Sequence, residues 1–371
     1  MQISDLEKLK TCIQCGTCSA TCPAAGSNPF THRHLWQLIL RNGSAEALNY
    51  WNCTNCALCE ERCPRGIPLS SIIMKLRENE GTPEKMSAVT EMLDKTRNIN
   101  GDPAENRLLW VDNLGDGKED VLNAMKKERA EVLYFTGCVS SLFPQAYKIP
   151  QGLSRLLLLA GVDLGFFGAE EWCCGYPLYG AGLGEEALRE YAEHTYEITR
   201  EKGAATILFS CPTCAYVFER FYTRLVPEFN NIRMIHYTEY LQELKLKFLQ
   251  NDEIVTYHDP CDLGRKCGLT EQPRELIKLS GAKLAEMRFN RGEGKCCGGG
   301  GNLEMMNAEL TGDIAAARVE EAMETGASAI VTTCQQCKRT LMGGARKMRA
   351  KIKVYDLIEF LAERVDRGEP L

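Results

Sequence analysis

Ten cysteines in the last two-thirds of the chain recur at one fixed offset, and that recurrence constrains the fold more than any other feature of the 371 residues. Cys138, Cys173-Cys174-Gly175 and Cys211-x-x-Cys214 are followed by Cys261, Cys296-Cys297-Gly298 and Cys334-x-x-Cys337, each 123 residues after its counterpart (261 less 138, 296 less 173, 334 less 211). Gly203-Ala204 and Gly326-Ala327 keep the same offset. Unrelated metal loops would not hold five spacings at once, so the pattern predicts a duplicated domain with a pseudo-twofold relation.

Short β-rich runs lead into several of these cysteines. Glu131–Phe135 runs into Thr136-Gly137-Cys138, Ala205–Phe209 into Ser210-Cys211, Glu253–Tyr257 into His258-Asp259-Pro260-Cys261, and Ala327–Val331 into Thr332-Thr333-Cys334. Helical patterns such as Glu185–Lys202 and Ala308–Thr325 lie between them. Strands alternating with helices predict parallel α/β layers, whose ligands collect at the carboxyl ends of the strands.

The chain carries 19 cysteines. The stretch Met1–Lys8 has acidic charge and no apolar core, so it does not read as a secretory signal. A reducing, cytoplasmic setting is expected, and there clustered cysteines argue for metal rather than disulfides. A net charge of −6 offers no footprint for nucleic acid. No apolar run approaches the roughly 18 residues of a membrane span. With 44% hydrophobic and 25% charged residues, the composition is that of an ordinary globular protein.

The N-terminal cysteines make a second pattern. Cys12-x-x-Cys15-x-x-Cys18-x-x-x-Cys22-Pro23 is followed by Cys53-x-x-Cys56-x-x-Cys59-x-x-x-Cys63-Pro64, the spacing of bacterial two-cluster ferredoxins. Three cysteines at x-x spacing wrap one cluster, and the fourth, before proline, reaches across to the other. Cys12, Cys15, Cys18 and Cys63 are therefore assigned to one cubane [4Fe–4S] cluster, and Cys22, Cys53, Cys56 and Cys59 to the second. Zinc, which favours two C-x-x-C pairs, fits this triple spacing badly. The insert between the motifs, with Leu35, Trp36, Leu38 and Ile39, predicts a helix over Thr31–Arg41 and a helical variant docked on partners. Four regions follow: a helical ferredoxin-like domain over 1–75, a helical connector over 76–130, and the two repeats over 131–250 and 251–371.

Each repeat supplies five cysteines where a cubane takes four. Two adjacent ligands point to something other than a plain cubane. Gly175 and Gly298 let backbone approach a cluster, and the run Gly298–Gly301 reads as an open floor beside Cys296 and Cys297, where a substrate would fit.

On Cys12-Ile13-Gln14-Cys15-Gly16-Thr17-Cys18, Glu61-Arg62-Cys63-Pro64-Arg65-Gly66, His258-Asp259-Pro260-Cys261 and both Cys-Cys-Gly motifs, the chain resembles a fused heterodisulfide reductase: a two-cluster ferredoxin subunit joined to a twin CCG-domain catalytic subunit. The resemblance covers nearly the whole chain. It implies a noncubane [4Fe–4S] cluster on Cys138, Cys173, Cys174, Cys211 and Cys214, and another on Cys261, Cys296, Cys297, Cys334 and Cys337. It also implies cleavage of the disulfide of coenzyme M and coenzyme B between them. Iron–sulfur subunits of glycolate, lactate and glycerol-3-phosphate oxidising systems share the layout. A non-catalytic electron-transfer subunit, linking a 2-hydroxy-acid dehydrogenase or an electron-transfer flavoprotein to a quinone or cytochrome, is therefore the alternative.

No G-x-G-x-x-G or P-loop is present, so no flavin or NAD is expected in this chain, and electrons must come from a partner: a flavoprotein, a ferredoxin-like subunit or a cytochrome b. A partner could also hold the chain at the cytoplasmic face of a membrane. His258 reads as a proton donor to a leaving thiolate or as a structural hydrogen-bond partner. Cys267 falls outside both patterns and reads as a packed thiol. Arg265, Lys266, Arg274, Arg288, Arg291 and Lys295 read as a solvated basic face or as the surroundings of an anionic substrate, and Trp172, Tyr176 and Met305-Met306 as an apolar shell.

Overall fold

A computed structural model of the chain describes residues 3–25, 31–42, 50–244 and 246–364. Two ends of the ferredoxin insert, 26–30 and 43–49, and the terminal stretches 1–2 and 365–371 lie outside the described residues.

Two four-stranded parallel sheets dominate. The first comprises β1 (Val132–Phe135), β2 (Leu164–Phe166), β3 (Thr206–Phe209) and β4 (Arg233–His236), in the order β2-β1-β3-β4. The second comprises β5 (Ile254–His258), β6 (Lys283–Leu284), β7 (Ala329–Thr332) and β8 (Lys353–Asp356), in the order β6-β5-β7-β8. Val132 pairs with Thr206 and Val255 with Ala329, so the register repeats with the cysteine offset. Even single side chains repeat: the Tyr134 hydroxyl meets Ser210 Oγ at 2.7 Å, and Tyr257 meets Thr333 Oγ1 at 2.7 Å.

The predicted runs sit on the central strands β1, β3, β5 and β7. The edge strands leave no such mark in the sequence. Two to four residues long and carrying Gly165, Arg233, Lys283 or Lys353, they lack the apolar run that marks a buried parallel strand. The helix expected over Thr31–Arg41 spans His32–Asn42, and that over Ala308–Thr325 spans Ala308–Met323. The pattern Glu185–Lys202 divides into a 3₁₀ turn, Glu186–Leu188, and a helix, Arg189–Glu201.

Alternation along the strands explains how two sheets make one body. Val132, Tyr134, Leu208, Val255, Tyr257 and Val331 share one core between the halves. Leu133, Phe135, Ile207 and Phe209 point the other way into a core private to the first half, and Ile330 into one private to the second. Gln335 crosses the joint. Its Nε2 donates to Thr136 O (2.9 Å) and Ser210 Oγ (2.8 Å), and its Oε1 accepts from Ser140 N (3.1 Å). Gln335→Ala should cost roughly 1–3 kcal/mol by leaving those buried groups unpaired, read as a lower denaturation midpoint under anaerobic conditions; an unchanged midpoint would show that the shared apolar core alone holds the joint.

The ferredoxin-like segment packs against both halves through Arg77, on the helix Leu69–Glu80. The fully buried guanidinium donates to Gly180 O (3.1 Å), Gly301 O (2.9 Å), Trp51 O (3.0 Å) and Cys53 O (2.7 Å). The glycine run belongs to this joint as well. A Cβ on Gly300 would stand 2.6 Å from Thr54 O, and one on Gly301 2.6 Å from Cys53 O. The expected open floor is thus closed on one side: these glycines let two backbones meet.

Candidate cluster sites

The strand ends bring the ten repeat cysteines into two matching arrays. In the first half, thiol-to-thiol contacts run Cys138, Cys173, Cys174, Cys214, Cys211. In the second they run Cys261, Cys296, Cys297, Cys337, Cys334, with Cys297 and Cys337 sulfurs 3.3 Å apart. Nine of the ten are buried, and Cys261 is half-buried. Thiol donors on both sides draw Cys174 down to about 6, and the same arrangement holds Cys297 well below the ordinary thiol value. Their neighbours Cys138, Cys173, Cys214, Cys296, Cys334 and Cys337 are pushed the other way by the adjacent thiols and by burial, as expected for a close-packed thiol array without a cation. Five converging thiols exceed the four that tetrahedral zinc takes, so this donor set fits an iron–sulfur group better.

Gly175 and Gly298 follow the paired cysteines in left-handed conformation, φ +79° and +90°. A Cβ there would stand 2.5 Å from Leu188 Cδ2 or 2.8 Å from Thr311 O, so both turns need glycine.

Both arrays face one cavity of about 430 Å³. Its lining includes Cys138, Cys173, Cys174, Cys211 and Cys214 from one half and Cys261, Cys297, Cys334 and Cys337 from the other. Tyr176, Met305, Gly299, Gly300 and Gly301 also line it. The charged lining residues are Asp262, Glu304 and Arg339, of which the last two pair with each other. Trp172 is elsewhere, stacked on His194.

In the ferredoxin-like segment, Cys12, Cys15, Cys18 and Cys63 line a common pocket, and Cys15 is exposed. Cys22 lies near Cys53 and Cys56, and Cys59 near Cys53, Cys56 and Cys22. The structure thus gathers the cysteines in the two expected sets, each closed by the other motif's fourth cysteine. Cys56 touches Cys296, so the inner set abuts the second five-cysteine array. Ile13, beside the exposed set, is 62% exposed.

His258 stands behind the thiols and is absent from the cavity lining. Its ring and the sulfurs of Cys297 and Cys337 offer atoms within 4.8 Å of one another. Arg318 Nε donates to His258 Nδ1 at 3.1 Å, which leaves the ring proton on Nε2, and burial holds the pKa below the ordinary imidazole value. Of the two readings of this residue, the geometry bears on the second: the ring is fully buried, outside the cavity lining and in contact with the Cys297 sulfur.

The basic residues also read differently. Arg274 is buried against Asp259 (2.7 Å) and Glu286 (2.7 Å), and Lys266 pairs with Asp262 (2.8 Å). Arg265 donates to Cys56 O (2.7 Å) and Gly294 O (2.6 Å), tying the second half to the ferredoxin-like segment. None of the six lines the cavity. Two polar residues at the first array give no signal in the sequence. Arg107, in the 3₁₀ turn Ala104–Leu108 of the connector, places Nη2 3.1 Å from Cys138 Sγ, and Glu171 holds it at 3.1 Å. Cys267 is half-buried beside a small pocket with His236, Glu219 and Glu239.

Comparison with known proteins agrees with this layout. The sequence profile of the cysteine-rich domain matches residues 132–219 and 255–342, and that of the 4Fe-4S dicluster domain matches residues 4–64. One subunit of the dihydromethanophenazine:CoB–CoM heterodisulfide reductase of Methanosarcina barkeri is 30% identical, over 96% of this chain and 94% of the relative. The Methanosarcina acetivorans counterpart is 29% identical with the same coverage. An EtfAB:quinone oxidoreductase of Syntrophomonas wolfei is 27% identical over 96% of this chain and 58% of the relative. Among solved structures, a hypothetical protein from Helicobacter pylori superposes with a TM-score of 0.54 at 10% identity, over 100% of this chain and 73% of that one, a likeness of fold alone. Among the described residues, no helix is long and apolar enough to cross a membrane.

Proposed function

The chain belongs to the heterodisulfide reductase family, iron–sulfur electron-transfer proteins with paired cysteine-rich domains, and on that premise we propose that it reduces a disulfide to two thiols within the cavity shared by its two halves. Cys12, Cys15, Cys18 and Cys63 hold one cubane cluster, and Cys22, Cys53, Cys56 and Cys59 the other. Each five-cysteine array holds a noncubane cluster. When bound, these groups supply one-electron carriers and, at the arrays, iron accessible to a substrate sulfur. The exposed set around Cys15 meets the electron-donating partner, a flavoprotein, ferredoxin-like or cytochrome b subunit. The contact between Cys56 and Cys296 would be the short path along which electrons pass from the inner set to the second array. Two electrons and two protons convert one disulfide into two thiols.

The observation that carries this reading is the single cavity between nine cysteines of two arrays. About 430 Å³ is within the range of small-molecule sites. Facing arrays give each half of a disulfide its own sulfur-binding wall. The clusters would take up part of that space, and what they leave open between the two arrays would receive the disulfide. The relay reading draws its support from the EtfAB:quinone oxidoreductase likeness, in which the chain would pass electrons toward a quinone or cytochrome partner.

The test is an anaerobic preparation loaded with iron, about 16 per chain if all four sites hold four. Titration of the oxidised protein with coenzyme M, coenzyme B and their heterodisulfide, followed by electron paramagnetic resonance, should give a thiol-dependent signal. Its absence, with normal reduction by a dehydrogenase or electron-transfer flavoprotein, replaces catalysis by relay. A colourless, zinc-loaded chain overturns both.

A further inference from the structure

The two five-cysteine arrays obey the repeat, but their polar surroundings do not. Arg107 comes from the connector, which precedes the first repeat and has no second copy. Its Nη2 lies 3.1 Å from Cys138 Sγ, and its Nη1 donates to Glu171 Oε1 (3.1 Å) and Ser141 Oγ (3.2 Å). The pair is 2% and 1% exposed. Glu171 is itself fixed, accepting from Thr136 N (2.8 Å), Thr136 Oγ1 (2.7 Å) and Gly137 N (2.8 Å).

Shifted by 123, Glu171 becomes Gly294 and Ser141 becomes Gly264. The counterpart sulfur, on Cys261, faces a carboxylate instead, with Asp262 Oδ1 at 3.8 Å. The second array has His258 against Cys297, where the first half has Phe135. One array therefore carries a guanidinium hydrogen-bonded to a sulfur, while the other carries an imidazole against one sulfur and has its nearby cations engaged elsewhere, Arg265 on the Cys56 and Gly294 carbonyls and Lys266 on Asp262.

We propose that Arg107 sets the first array at a higher reduction potential than the second, so that electrons entering beside Cys296 come to rest on the Cys138 side of the cavity. The inference rests on both arrays holding clusters. Its physics is simple. Reduction adds negative charge shared with the ligating sulfurs, and a charge-assisted hydrogen bond to one of them favours the reduced form. Burial makes the effect large, because little water screens it. Glu171 fixes the guanidinium in place and tempers its charge. One electron leaves the second array as one arrives at the first, with no proton or bond change, and the electron-donating partner refills the second. Arg107 is thus a positioning residue for the electron rather than a catalytic one.

The experiment is a redox titration of the full, iron-loaded chain by electron paramagnetic resonance, comparing wild type with Arg107→Met, Arg107→Lys and Glu171→Gln. His258→Phe, which installs the first half's residue, marks which signal belongs to the second array. Arg107→Met should lower one midpoint by at least a tenfold change in the reduced-to-oxidised ratio, about 59 mV for one electron, leaving the His258-sensitive signal in place. Arg107→Lys should keep most of the wild-type value. Glu171→Gln should move the same midpoint upward. A merely structural pair would shift both substitutions in one direction. That result, equal shifts of both signals, or unmoved midpoints at full iron content each overturn the inference. Arrays that take up no iron overturn the proposed function instead.

Discussion

Removal of iron should dissolve the order of the ferredoxin-like segment and leave both sheets folded. Its helices are short, such as Thr17–Thr21 and Leu58–Glu61, and helices of that length do not stand alone in water. Its core counts Cys53 and Cys59 among its buried members, beside Leu35, Trp36, Ile72 and Ile73. Without a metal, those thiols are small apolar groups with a poor claim on the fold, and binding energy at such sites is folding energy. The sheets rest instead on Val132, Tyr134, Leu208, Val255, Tyr257 and Val331, which need no ligand to pack. Hydrogen exchange before and after anaerobic chelation checks this. Peptides covering Cys12–Cys22 and Cys53–Cys63 should lose protection by about a hundredfold or more, close to roughly 3 kcal/mol, while β1, β3, β5 and β7 keep theirs. Equal loss throughout would show that the sheets also depend on the metal.

The second large effect is expected at Cys56. This thiol is buried, belongs to the inner four-cysteine set, and touches Cys296 of the second array. Its carbonyl is held by Arg265 Nε at 2.7 Å. Cys56→Ser should therefore slow reduction of the five-cysteine arrays by at least about a hundredfold, the upper end of what losing even an indirect support costs a metal site. Reduction of the outer set around Cys15 should continue. Rapid freezing after mixing with reductant, with the signals followed over time, separates the two. Arrays filling at the normal rate in Cys56→Ser would mean that electrons enter without passing the inner set.

The repeat, the central strands and the cysteine sets are legible in the sequence because each rests on local spacing. Cys138 and Cys261 stand 123 apart whether or not the chain is folded. The polar partners are different in kind. Arg107 sits in a charged connector and looks like any surface arginine until Glu171 and Cys138 close around it. Gln335 gives no sign of the first half it bonds to. Arg274 reads as one charge in a basic run, yet it is 1% exposed, because Asp259 and Glu286 converge on it from other strands and loops. His258 is legible as a polar residue at a strand end, but its orientation depends on Arg318, 60 residues further on. The glycine run suggests openness, while half of it serves a backbone-to-backbone joint. Periodicity records what a segment buries; it does not record which distant group arrives to share the space.

Arg77 makes three parts of the chain depend on one side chain. Its guanidinium is satisfied by carbonyls at Trp51, Cys53, Gly180 and Gly301, the last of them 224 residues downstream. Two acceptors lie within the N-terminal segment, the third in the first repeat and the fourth in the second, so the complete set exists only in the full chain. Burial of Arg77 thus draws on the N-terminal segment and both repeats together, so a change in any one of the three is felt by the other two.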